Sequence, residues 1–130
     1  MKQIFSTNWI KSKQPRKQRK YRHNAPLHLK REFLAAHLSK ELRTKYGIRS
    51  VILRKGDKVK IMRGQFKGKV SKVDRVSIVK ERVYVQGAER LKRDGSKSFY
   101  PINPSNVMVQ EINLDDRKRK EKLQKKVTKK

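Results

Sequence analysis

The stretch KGDKVKIMRGQFKGKVSKVD, residues 55–74, decides the fold. Val59 and Ile61 alternate with Lys58, Lys60 and Met62, so a strand here has one apolar face and one basic face. RGQFKG, residues 63–68, interrupts that rhythm, and Gly64 and Gly68 supply turn geometry that other residues resist. Val70, Val73 and Val76 then mark a second strand. Their spacing departs from a strict period of two, which predicts a bulge. The stretch therefore reads as one hairpin with a glycine-framed loop.

Further strands follow downstream. RVYVQG (82–87) places Val83 and Val85 on one face, and KRDGSKSFY (92–100) contains the hairpin signal Asp94-Gly95. INPSNVMVQEI (102–112) turns at Pro104 and ends in a strand through Val107 and Val109. Five short antiparallel strands with polar turns, within 48–112, predict a mainly β domain: a small barrel of SH3-like size.

Upstream, the apolar spacing looks helical. Pro26 suits a first helical position, and Leu27, Leu34 and Leu38 follow at helical spacing, with Lys30 and Arg31 on another side. Ser39 can cap a second short helix, KELRTKY (40–46), which pairs Leu42 with Tyr46 and stops at Gly47. Residues 26–47 are thus expected to be a short helical segment whose leucines and Tyr46 are packing residues.

Both flanks are basic. KSKQPRKQRKYRHNAP (11–26) contains no acid, the first in the chain being Glu32, and has almost no aliphatic residue. Such a segment cannot bury enough apolar surface to offset chain entropy, so residues 1–25 are expected to be an extended arm, disordered when free. Arg16, Lys17, Arg19, Lys20 and Arg22 are spaced closely enough to enter a phosphate-lined crevice, and Tyr21 among them could stack on a base. The plainer alternatives are a solvated charge run or a nuclear localisation signal. NLDDRKRKEKLQKKVTKK (113–130) opens with Asp115-Asp116 and turns basic, an order that suits the helix macrodipole. Leu114, Leu123 and Val127 are its only stripe, so it reads as a tail that becomes helical on RNA or a neighbour.

The 130 residues carry 38 Lys and Arg against 11 Asp and Glu, a formal charge of +27 and a pI near 10.9. Residues 1–47, 48–112 and 113–130 contribute +11, +10 and +6, so every segment can meet phosphate. Repulsion on this scale calls for a dense polyanion. Hydrophobic residues are 34% of the chain, below the roughly 45–50% of ordinary globular domains, which limits the core. A membrane surface would require a broad apolar helical face, and the basic stretches lack Leu, Ile and Phe. No signal-peptide run opens the chain and no stretch approaches a membrane span.

Catalytic signatures fail one by one. With no cysteine, and with His23, His28 and His37 at spacings foreign to zinc motifs, no metal or other cofactor is expected. Nucleophilic catalysis would need a Ser supported by a His and an acid, but the serines occur in turn-like or basic surroundings with no strand-to-helix elbow, and Asp115-Asp116 suits helix capping better than acid–base work. GQFKGK is too short for a phosphate-binding P-loop.

GDKVKIMRGQFKGKVSKV resembles a KOW motif, in which a G-D-x-V-x-V/I strand, a glycine loop and a K-G-K strand form a hairpin of an SH3-like barrel. The flanks NAPLHL (24–29), LSKELRTKY (38–46), IRSVILRKGD (48–57) and INPSNVMV (102–109) resemble, in order and spacing, the archaeal and eukaryotic branch of one large-subunit ribosomal protein family. It is the family called L twenty-six in eukaryotes and L twenty-four in bacteria, and the resemblance runs from about Lys11 to about Lys118. Two positions depart from the pattern: Ser71 replaces a frequent Gly, and Asn103 replaces the His of IHPS. The first ten residues, with Phe5 and Trp9, lie outside the shared pattern; Trp9 could pack on a protein or stack on a base.

The resemblance implies a non-enzymatic constituent of cytoplasmic ribosomes. Such a protein binds large-subunit rRNA near its 5′ end, early in assembly, and lies close to the peptide exit tunnel beside other large-subunit proteins. On that reading Gly64 and Gly68 let the loop backbone approach RNA, with Arg63, Lys67 and Lys69 around it and Phe66 at its tip. Lys30, Arg31, Arg49 and Arg54 join the basic arm as further candidate RNA contacts. A KOW module bound to RNA polymerase and a histone-like DNA-compacting protein are the rival readings. Neither accounts for a single basic domain with these flanks.

Overall fold

Alternation of buried and exposed residues builds the sheet strand by strand. The computed structural model describes residues 5–8 and 11–128, with side chains as far as residue 124. Trp9 and the Val127 side chain, named above, fall outside the described part. In chain order the elements are α1 (Pro15–Asn24), α2 (Leu27–Glu32), β1 (Ala35–Leu38), α3 (Lys40–Tyr46), β2 (Ser50–Ile52), β3 (Lys58–Ile61), β4 (Val70–Ser77), β5 (Arg82–Val85), β6 (Glu89–Leu91), β7 (Lys97–Phe99), a 3₁₀ turn (Pro104–Asn106), β8 (Val107–Glu111) and α4 (Arg117–Thr128).

Six strands form one sheet in the order β2-β1-β8-β3-β4-β5, and β6 and β7 form a separate hairpin. Every pairing is antiparallel except β1 with β8. Val59 and Ile61 of β3, Val73 of β4, Val83 and Val85 of β5 and Val107 and Val109 of β8 point inward, joined by Leu34, Leu38 and Leu53. Lys58 and Lys60 point outward, as the alternation requires. The β4–β5 register shifts between Val73 and Arg75, where the valine spacing predicts a bulge. The fold is thus a mainly β sheet dressed by four helices. Among the described residues no ladder joins β2 to β5, so the hydrogen bonding does not close the expected barrel.

Three expectations are corrected. The helix expected through Leu38 ends at Glu32, and Ala35–Leu38 is a strand of the main sheet. Leu34, Ala36 and Leu38 are buried at a period of two, whereas Leu27, which suggested the helical period, is 57% exposed. The sheet therefore begins at residue 35 rather than 48. Residues 15–24, expected to be extended, form α1: Pro15 occupies a first-turn position and Gln, Lys and Arg are good helix formers. Among the described residues the strands number eight rather than five, because β1 and β2 add to those expected and the segment around Asp94-Gly95 belongs to a pair of short strands, β6 and β7.

The local signals of α3 and the hairpins hold. Ser39 Oγ accepts from Leu42 N at 3.4 Å, and Gly47 closes the helix in the left-handed region. The β6–β7 turn uses Gly95 at φ +79°, with Gly95 N donating to Lys92 O at 3.1 Å and Lys92 N to Ser96 O at 2.9 Å. That is a three-residue loop with its left-handed position at glycine.

One polar cluster fixes α4 to the sheet. Asp57 is fully buried and Arg119 is 6% exposed. Arg119 Nη1 donates to Asp57 Oδ1 at 2.6 Å and Nη2 to Oδ2 at 2.8 Å, a bidentate pair. The guanidinium also donates to Asn113 O (3.0 Å) and Ile52 O (3.1 Å), while Asp57 accepts from Arg54 N (2.8 Å) and Asn113 N (2.9 Å). Asp116 starts the helix, its Oδ1 accepting from Lys118 N at 2.9 Å.

Replacing Arg119 with Ala strands a buried carboxylate and is expected to cost about 3–5 kcal/mol, read by denaturant unfolding. An Asp57→Leu/Arg119→Met double variant is expected to regain only part of that loss, because the Arg54 and Asn113 amides then lack their acceptor. Full recovery would mean that packing alone holds α4.

Candidate nucleic-acid interface

The loop between β3 and β4 is a turn closed on itself. Lys67 N donates to Gly64 O at 3.0 Å, Lys69 N to Phe66 O at 3.2 Å and Gly68 N to Ile61 O at 2.8 Å. Gly64 (φ +92°) and Gly68 (φ +87°) occupy the left-handed half of backbone space, and a Cβ at either would meet nothing within 4 Å. Both glycines answer to conformation, and the space above them is open to a partner. Arg63 and Lys67 are exposed on this loop and have no acidic partner among the described residues. Lys69 is committed elsewhere, its Nζ donating to Gly87 O at 2.5 Å. Phe66, placed at the tip by its sequence, instead folds inward against the core, its ring centroid 5.5 Å from that of Tyr100.

Helix α1 sorts the basic arm into two faces. At about 100° per residue, Arg16, Arg19 and Lys20 fall on one side and Tyr21 on the opposite side. All three cations are exposed, as is Lys17 on a flank. Tyr21 is half-buried, packed 4.9 Å from the Phe5 ring and 6.5 Å from the Phe33 ring. These contacts tie the helix to Phe5 and Phe33. Arg22 lies 5.2 Å from the Phe33 centroid and pairs with Glu81. Glu81 is the sole non-glycine at positive φ among the described residues, at +52°, in the β4–β5 turn.

The remaining candidates cluster around the start of the sheet. Lys30 is half-buried, while Arg31 at the end of α2 and Arg49 before β2 are exposed. Arg54 is half-buried and pairs with Asp116. Burial, then the nearby guanidiniums of Arg119 and Arg31, hold its pKa below the ordinary arginine value. Arg31 and Arg54 together border two clefts, one toward α4 and one toward β4. The structure thus unites Arg31 and Arg54, and leaves α1 and the β3–β4 loop as separate basic features.

Sequence reasoning missed several groups. Arg75 lies 4.5 Å from the Tyr84 ring centroid. Lys118 and Lys122 line the cleft beneath α4. The spacing of these lysines along a basic helix was available, but the docking of that helix depends on Arg119, which reads as one more cation in a run. Asn103 has a clear local role: its Oδ1 accepts from Ser105 N at 3.1 Å and caps the 3₁₀ turn. Ser71 sits in the regular β3–β4 ladder opposite Val59, with no left-handed backbone.

Among the described residues no three His, Asp or Glu side chains gather in a way that could hold a metal ion. None of the helices there is long and apolar enough to cross a membrane. The features that recur are exposed cations on a shaped surface.

Comparison with known proteins agrees with that surface. Residues 12–126 match the family described as ribosomal proteins L26 of eukaryotes and L24 of archaea. The large ribosomal subunit protein uL24 of Methanosphaera stadtmanae is 48% identical over 116 residues, covering 89% of this chain and 99% of that protein.

The Arg22–Glu81 pair is about half-exposed on its arginine side, so its loss is expected to change global stability by less than about 1 kcal/mol. Glu81→Gln should nevertheless increase proteolytic cutting within residues 15–24. Unchanged cutting would mean that the aromatic contacts of Tyr21 suffice to hold α1.

Proposed function

We propose that this chain, which belongs to the family of eukaryotic L26 and archaeal L24 ribosomal proteins, holds large-subunit rRNA in shape through the basic features just described. Membership makes it a structural constituent of the large ribosomal subunit, of a family without enzymes, working within the ribosome. The finer reading is that it binds rRNA near the 5′ end early in assembly and lies close to the peptide exit tunnel, in cytoplasmic ribosomes. We also read the β3–loop–β4 hairpin as a KOW motif and the curved sheet around its single core as an SH3-like module.

The observation that carries the reading is the pairing of a rigid loop with unneutralised charge. Gly64 and Gly68 hold an open backbone surface, Arg63 and Lys67 flank it, and Arg16, Lys17 and Arg19 stand exposed on α1. Phosphate contacts from such groups set position and orientation, and they make affinity depend on salt. The ordered sheet adds a fixed shape, which a flexible polycation lacks.

Two variants examine the two halves of this mechanism. Replacing Arg16, Lys17 and Arg19 with Ala is expected to weaken binding to an rRNA fragment and to flatten the log–log salt slope by about 2 to 3. An unchanged slope would remove α1 from the interface. Gly64→Val is strained at φ +92° and is expected to reduce rRNA binding more than binding to heparin. Equal losses on both would reduce the loop to a turn.

The function as a whole is tested by sedimentation of tagged chain from a lysate, with subunits separated by EDTA and the salt then raised. Retention on the large subunit, lost on ribonuclease digestion, is the expected result. Migration with RNA polymerase or chromatin would overturn it.

A further inference from the structure

Between β2 and α4 lies a cleft of about 320 Å³. Its floor is aliphatic, made by Ile48, Val51, Ile52 and Leu123. Its rim is cationic: Arg31, Arg54, Lys118, Arg119 and Lys122 line it, and no carboxylate does. Arg119 and Arg54 are engaged with Asp57 and Asp116. Arg31, Lys118 and Lys122 have no acidic partner among the described residues. One wall is rigid, because the buried Asp57–Arg119 pair pins α4 where the cleft opens.

An aliphatic floor under a rim of unpaired cations suits a ligand with a flat apolar body and flanking negative charge. We propose that the cleft seats a single unpaired RNA nucleotide. Its base lies on Ile48, Val51 and Ile52, and its flanking phosphates meet Arg31, Lys118 and Lys122. The inference rests on the rRNA-binding reading above and names a subsite within it. Charge separates this occupant from a peptide: the cleft is lined by five cationic side chains and no carboxylate, which suits a ligand carrying phosphates. Paired RNA presents phosphates but no free base face, whereas bases in loops and bulges are splayed out and available for such contacts.

The chain contains no cysteine, so Ser50→Cys, at an exposed residue lining the cleft, offers a single attachment point for a photoreactive group. In large subunits reconstituted with this protein, cross-linking is expected at one unpaired rRNA nucleotide. Cross-linking to another protein, or only to paired segments, would overturn the proposal. Two further variants are measured on an rRNA fragment containing that nucleotide. Ser50→Phe obstructs the mouth without touching a charge, and is expected to weaken binding about five- to tenfold with the salt slope unchanged. Lys118→Gln/Lys122→Gln is expected to weaken it about 25-fold at 0.1 M salt and to flatten the slope by about 1.4. Wild-type affinity in both variants would overturn the subsite while leaving rRNA binding intact. A wild-type chain with no affinity for the fragment or for whole large-subunit rRNA would overturn both.

Discussion

The buried Asp57 carboxylate is the constraint around which the basic parts of this molecule are arranged. It sits at the start of the β3–β4 hairpin and is fully enclosed. Each of its oxygens accepts one backbone amide and one arginine nitrogen. The amide donors come from the turn before β3 and from the segment after β8, and the guanidinium comes from α4. Three parts of the chain, at residues 54, 113 and 119, are thus tied to one side chain. Isolated buried ion pairs are poor stabilisers, since desolvation offsets their attraction. Here the backbone donors change that balance, because the carboxylate also satisfies two partly buried backbone amides.

That tie matters because a small core has little strength to spare. The buried set is mostly Val, Leu and Ile from a sheet of short strands, and 130 residues carry a charge of +27. Mutual repulsion works against any basic helix lying on a basic body. Helix α4 overcomes it in two ways. Leu123 inserts an apolar side chain, and Arg119 finds a carboxylate deeper than any solvent-exposed cation could reach. Helix α1 does the same on a smaller scale, with Tyr21 against Phe33 and Arg22 against Glu81.

The parts of this arrangement legible in the sequence are those governed by near neighbours. The Val59/Ile61 alternation, the bulge in β4, the Ser39 cap, the Gly47 stop and the Asp94-Gly95 turn each depend on a few adjacent residues. The strand at Ala35–Leu38 was not legible, because Leu34 and Leu38 fit both a helical and a period-two reading. Its pairing with β8, more than 70 residues away, decided between them. Tyr21 and Phe66 show a related limit: an aromatic among cations reads as a base-stacking group, and only the fold reveals that Tyr21 also packs against Phe33 and Phe66 against Tyr100. Arg119 was hidden by composition. In RKRKEK nothing local separates the one buried arginine from its exposed neighbours.

The scarcity of acids then acquires a structural meaning. Among the described residues five ion pairs occur, and three of them join a terminal segment to the body: Arg22 with Glu81, Arg54 with Asp116 and Arg119 with Asp57. Three of the eleven carboxylates hold a flanking helix, and none lines the cleft beneath α4. A surface designed only for solubility would intersperse the two signs. This one places three of its eleven acids at attachment points. It leaves Arg16, Lys17 and Arg19 of α1, Arg63 and Lys67 of the β3–β4 loop, and the outer cleft rim without acidic partners among the described residues. Shape and charge therefore have a common origin, since the contacts that order the basic helices also determine which cations remain available to a polyanion.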